Sequence, residues 1–229
     1  MLWYKGWLET RFKVLAVAGL LGLILTSAYS RGVRTPVGIQ SFIVSAMYLG
    51  VMIPVMFAGA GITTQLALRA TQGLHGSMMF TLSLPASRLR LLAVRAGLGW
   101  LEMAAAFGVW CCALWILFPV LRDVATAAQL FEHEVALVAC ASGLYAINVF
   151  LATFLDDLWR TYGSMIASGA LWWLSDHTPL PASANIFQAM GEGSPLFAHA
   201  MPWTAMTFSL SLAAILFLAA LKIVQAREY

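Results

Sequence analysis

Six stretches of this chain are apolar over roughly the thickness of a bilayer, for which a helix needs about 20 residues. They fall at about 14–29, 42–62, 91–118, 135–154, 158–174 and 204–221, and together they take up most of the 229 residues. In hydrocarbon every backbone N–H and C=O must be satisfied within the segment, so runs of this length are predicted to be membrane-spanning helices. Composition agrees: 61% of residues are hydrophobic and 10% charged, against about a quarter charged in an ordinary soluble domain. The expected class is therefore an all-α polytopic membrane protein, with the whole chain, 1–229, forming a single transmembrane domain.

The segments between the runs define the rest of the expected architecture. Residues 2–13 place Trp3, Trp7 and Phe12 near one helical face and Lys5, Glu9 and Lys13 elsewhere, as in a helix lying in the membrane interface. This segment is read as retained, because the aromatic stretch is unlike the start of a signal peptide and no cleavage site follows the first run. Pro54 sits in the middle of the second run, where a kink is expected and not a termination. Gly163, Ser164, Ala167 and Ser168 give the fifth run small residues at three- and four-residue spacings for close helix contact. Residues 175–203 hold Pro179, Pro181, Pro195 and Pro202 among apolar side chains, and are predicted to form an outer, partly re-entrant cap packed over the fifth and sixth spans.

Between the second and third spans lies a basic interval with a turn, QGLHGSMMFTLSLPASRLRLLAVR. Pro85 breaks any helix that continues from Met78, and Ser87 can cap a fresh one beginning at Arg88. On the six-span arrangement ten of the thirteen Lys and Arg lie on one side, including Arg69, Arg88, Arg90, Arg95 and Arg160; Arg31, Arg34 and Arg122 lie on the other. The positive-inside bias then predicts cytoplasmic termini and a cytoplasmic elbow over about 69–87. The net charge of +3 gives no basis for nucleic-acid binding.

Glu102 is the carboxylate that falls deep in an apolar run. Such a group is costly and usually faces a bundle interior or a water-filled cavity; a functional role and a structural hydrogen bond are both open, with Ser142, Tyr145 and Asn148 as possible partners. His177 and His199 with Asp176 and Glu192 match no compact ligand spacing. The methionines are scattered through the runs, and Cys111, Cys112 and Cys140 read as packing residues. No metal or cofactor is expected on this chain. The residue sets of an intramembrane hydrolase are missing from the spans, and no phosphate loop of the G-x-x-x-x-G-K-[ST] type occurs.

The interfacial WYKGWLETRFKVL, the elbow ending TLSLPASRLRLLAVR, the six spans, the long last outer segment and the short tail ending AREY together resemble the membrane subunit of the type-2 ABC exporter family. The Leu-Ser-x-Pro-x-Ser-Arg element just ahead of span three is the sharpest part of the resemblance; His75 between Gly73 and Gly76 departs from it, standing where many relatives are acidic. The resemblance implies an inner (plasma) membrane permease paired with a second membrane subunit, as homodimer or heterodimer. It also implies a separate nucleotide-binding ATPase subunit that carries ATP and Mg. The elbow, with Arg69, Leu74, His75, Ser77, Leu84, Pro85, Ser87 and Arg88, would be the contact with that ATPase. A membrane assembly or immunity factor is the alternative, and an intramembrane enzyme a weaker one.

Overall fold

A computed structural model describes residues 2–31, 33, 35–58, 88–155, 157–178 and 184–226. Its helices are α1 (Leu2–Ser30), α2 (Pro36–Phe57), α3 (Arg88–Leu117), α4 (Leu121–Val124), α5 (Ala127–Leu151), α6 (Asp157–His177), α7 (Ile186–Met190), α8 (Pro195–Ala198) and α9 (Trp203–Ala226), and no strand occurs among the described residues. Five helical stretches are long and apolar enough to cross a membrane: Thr10–Ser30, α2, Leu89–Leu117, α5 and α9. α6 covers the expected fifth span but is not among the five, and it carries Asp157, Arg160 and Asp176.

Several boundaries differ from the sequence reading for local reasons. The expected interfacial helix at 2–13 and first span at 14–29 are one uninterrupted helix. α2 starts at Pro36 and not near Phe42, because Thr35 caps it: the Thr35 hydroxyl accepts from the Gly38 N–H at 3.1 Å, with Pro36 preset in the first turn. A Cβ at Gly38 would lie 2.8 Å from that hydroxyl, so the cap needs glycine there. The helix runs through Pro54 as expected and stops at Phe57, where Ala58 turns extended.

The expected outer loop ahead of span four is largely helix. Thr126 and Gln129 form a capping box in which Gln129 N–H donates to Thr126 Oγ1 at 3.3 Å and Thr126 N–H to Gln129 Oε1 at 2.8 Å. α5 therefore begins eight residues before Val135, and Glu132, His133 and Glu134 ride on it and not on a loop. His133 is fully buried. Glu134 faces α3 at Gly108, where a Cβ would come within 2.9 Å of its Oε1. Glu102 is thus not the lone carboxylate on a membrane-length helix.

α5 is the post around which the others stand. It packs on α2, α3, α6, α7, α8 and α9, and its inward residues are mainly small: Ala136, Ala139, Cys140, Ala141, Ser142, Gly143 and Ala146. The closest approach is to α9, where the buried Ser209 hydroxyl donates to the Cys140 carbonyl at 2.6 Å and accepts from Gly143 N–H at 3.0 Å. Two bonds tie α3 to α5: Tyr145 donates to the Ala96 carbonyl at 2.8 Å and Trp100 Nε1 to Ser142 Oγ at 2.9 Å. The small face of α6 docks with Ser164 and Ser168 buried and Gly163 against Leu151 and Leu155. Cys111 and Cys140 are packing residues, whereas Cys112 is exposed.

Within 175–203 the described part folds as two short helices. α7 is capped by Asn185, whose Oδ1 accepts from Phe187 N–H at 3.0 Å and Gln188 N–H at 3.2 Å. It buries Ile186, Phe187 and Met190, and α8 buries Leu196. α7 packs on α5 and α9 and α8 on α5, and the Asn185 amide donates to the Ser175 carbonyl of α6 at 3.4 Å, so the cap rests on the expected fourth span as well as on the sixth and the end of the fifth. Each such side chain stabilises by about 1.5–3 kcal/mol when buried. Hydrogen exchange measured by mass spectrometry is expected to be slow over Phe187–Gly191; fast exchange throughout that segment would dissolve the packed cap.

Candidate functional site

The candidate site is a cleft of 590 Å³ between α1, α2 and α3, a volume in the range of small-molecule sites. Its wall is almost wholly apolar: Val17, Leu21 and Leu25 from α1, Pro54 and Phe57 from α2, and Ala106, Val109 and Trp110 from α3. Among the described residues that line it, Glu102 is the charged one.

Glu102 is held at one end of this cleft. The buried Thr10 hydroxyl is hydrogen-bonded to Glu102 Oε1, and the Gly6 carbonyl lies 3.1 Å from the same hydroxyl. The two helices can bring these groups together because α1 and α3 approach closely here: a Cβ at Gly6 would sit 2.8 Å from Leu98 Cδ2, and one at Gly97 would sit 3.4 Å from Trp3. Thr10 is also the first residue of the membrane-length stretch of α1. Glu102 therefore stands level with the start of that stretch, although it lies near the middle of α3. From there the cleft continues past Leu25 and Leu117, about 22 Å along α3 at 1.5 Å per residue.

The expected partners of Glu102 do other work. Ser142 and Tyr145 make the α3–α5 bonds described above, and Ser142 also donates to the Val138 carbonyl at 2.6 Å. Asn148 Nδ2 donates to the carbonyls of Val55 at 2.8 Å and Met56 at 3.3 Å. These belong to the last turn of α2, where carbonyls have no partner within the helix. Thr10 was not foreseen as a partner of Glu102; a hydroxyl among polar residues of an amphipathic segment carries no signal of which helix it will meet.

Of the elbow residues, Arg69, Leu74, His75, Ser77, Leu84, Pro85 and Ser87 lie outside the described residues, and Arg88 is the first residue of α3. Beside the point where the described chain leaves α2 is a second, very small cavity of 10 Å³, lined by Ala58, Arg95, Tyr145, Asn148, Ala152 and Arg160 among others. Arg95 and Arg160, expected at the interface from their place in the sequence, are both buried. Among the described residues no group of three or more His, Cys, Asp or Glu is placed to hold a metal ion.

Comparison with protein families, with characterised proteins and with solved structures gives no match to this chain.

Proposed function

We propose that this chain is the membrane-spanning permease subunit of an ABC exporter, carrying a hydrophobic or amphipathic substrate outward by alternating access. The observation that carries the reading is the apolar cleft with one carboxylate at its end, formed by α1 and by the two helices that flank the elbow. A bundle built to be inert in lipid has no need of an ionisable group in such a place. The elbow sequence TLSLPASR directly precedes α3, so a push on it would act on two walls of the cleft at once. In this reading α6, about 31 Å long at 1.5 Å per residue, is a sixth crossing, both termini face the cytoplasm of the inner membrane, and a second membrane subunit completes the pathway. The ATP and Mg belong to a separate ATPase subunit.

Cysteines placed from Leu74 to Ser87 are expected to crosslink to a co-expressed nucleotide-binding subunit, and adding this chain should raise that subunit's ATP turnover. Labelling of a cysteine at Ser77 only from outside would overturn both the topology and the drive mechanism. ATPase coupling without movement of any substrate would leave an assembly factor.

A further inference from the structure

We propose that a second groove, between α1 and α2, holds an anionic glycerophospholipid, with its phosphate at Arg31 and one acyl chain lying between the two helices. Such a lipid would sit there whether or not an ATPase drives the protein, since the groove requires only that α1 and α2 span a membrane.

This groove has a volume of 670 Å³ and shares no lining residue with the Glu102 cleft. Its polarity is graded with depth. Near the α1–α2 turn it is lined by Arg31 and by the hydroxyls of Ser27, Ser41 and Ser45; farther in, by Leu20 and Leu23 of α1 and Leu49 and Ile53 of α2. Arg31 is exposed and directly follows the membrane-length stretch Thr10–Ser30, and the next such stretch starts at Pro36. The basic end of the groove therefore lies at the interface and the apolar end in hydrocarbon, the polarity of a lipid in its leaflet. An arginine side chain stays charged at physiological pH, and no acidic residue lines the groove with it among the described residues. A basic side chain just outside a span attracts anionic headgroups, and the planar guanidinium can grip a phosphate through two parallel hydrogen bonds. Ser27 lies one turn deeper on the same face of α1, where its hydroxyl can donate to an ester carbonyl that follows the phosphate. Size agrees as well: from Arg31 to Leu20 the groove descends about 16 Å by helix rise, close to one leaflet of a hydrocarbon core about 30 Å thick. Buried Ala28 and Ala46 form its floor. An apolar groove facing a bilayer fills with hydrocarbon, because its lining otherwise forfeits dispersion contacts; what Arg31 adds is a choice of headgroup.

The full chain, in nanodiscs of phosphatidylcholine, can be photolabelled with a phosphatidylglycerol probe and a phosphatidylcholine probe that carry the same diazirine-bearing acyl chain. Mass-spectrometric mapping is expected to place the label on Leu23, Ile24 and Leu49. The phosphatidylglycerol probe should reach half-labelling at about fivefold lower concentration than the other, the preference that one basic side chain gives an anionic headgroup. Arg31→Gln should bring the two probes level, Arg31→Lys should keep most of the preference, and Ser45→Phe, which fills the groove from an exposed position, should reduce labelling there by both. Equal half-labelling concentrations in the wild type, or an undiminished preference in Arg31→Gln, overturns the proposal. Labelling of Leu210 and Ile215, exposed on α9, at the same concentrations as the groove also overturns it, by marking ordinary boundary lipid. A groove that neither probe labels overturns it too, and would mean that a second copy of the chain covers this face. If Arg31→Gln fails to fold, the wild-type comparison decides headgroup choice and Ser45→Phe decides location. Loss of ATPase coupling would sink the exporter reading and leave this result standing.

Discussion

Gly143→Leu is expected to remove most of the folded protein from detergent extracts, while Gly22→Leu leaves it intact. Both glycines lie on helices that cross the hydrophobic layer, but a Cβ at Gly143 would stand 2.7 Å from Ser209 Oγ and 3.0 Å from the Ser209 backbone oxygen, whereas one at Gly22 meets nothing within 4 Å. The obstruction at Gly143 includes main chain on the opposing helix, so rotating a side chain cannot relieve it and α5 and α9 must separate. Overpacking of this kind costs about 1–3 kcal/mol and sometimes more, and the two hydrogen bonds of Ser209 to Cys140 and Gly143 would stretch with it. Gly143→Ala should do less, because alanine regains about 0.8–1 kcal/mol of helix propensity. Adding Ser209→Gly to Gly143→Ala should recover part of the loss, by removing the nearer obstacle and leaving the backbone one. Monodispersity and the thermal midpoint of the purified protein are the readouts. A Gly143→Leu protein as stable as wild type would mean that α9 does not sit against α5 at this point.

Asn148→Leu is expected to lower the thermal midpoint by about 4–8 °C, the shift that about 2 kcal/mol produces in a chain of 150–250 residues. Leucine has the branched skeleton of asparagine, with bulkier methyl ends, but cannot donate, so it leaves the Val55 and Met56 carbonyls unpaired at the end of α2; a buried unsatisfied polar group costs about 1–3 kcal/mol. The damage should be local as well as global. Amide exchange should rise at Val55–Ala58, the turn that leads towards the elbow, and stay unchanged across α9. An Asn148→Leu variant with wild-type stability and wild-type exchange there would show that something other than Asn148 satisfies those carbonyls.

What could be read from residues in order was governed by how local the determining contact is. The membrane-length helices follow from hydropathy alone, whereas the Pro85–Ser87 break lies outside the described residues, which resume with Arg88 as the first residue of α3. The capping pairs Thr35–Gly38 and Thr126–Gln129 are equally local. They were legible in principle, and they were masked by the charged residues around them, which favoured a loop. Partner choice is another matter. Glu102 was recognisable as unusual, yet its bond to Thr10 spans two helices far apart in sequence, and no spacing rule reaches across such a gap. Asn148 shows the same limit in reverse: its polarity marked it, but only the fold reveals that it serves the end of α2. α6 mixes apolar residues with Arg160, Ser164 and Ser168, and so has a lower mean hydropathy than the other long helices, which is why it falls outside the five membrane-length stretches.

The uneven burial of the helices has a mechanical consequence. The membrane-length stretch of α5 is 67% buried and that of α1 only 22%. Protein regions open in order of how few packed contacts hold them, so α5 is the stiff post of the bundle, while α1, like α9 at 17%, has most of its surface outside the packed interior. α1 is held near both ends, at its start where Gly6 meets Leu98 and Thr10 meets Glu102, and at its finish where Ala28 is buried and Tyr29 meets Phe118 edge-on at 6.4 Å. Because α1 is both a wall of the cleft and the partner of Glu102 through Thr10, a shift of this helix would reshape the cleft and stretch that bond together.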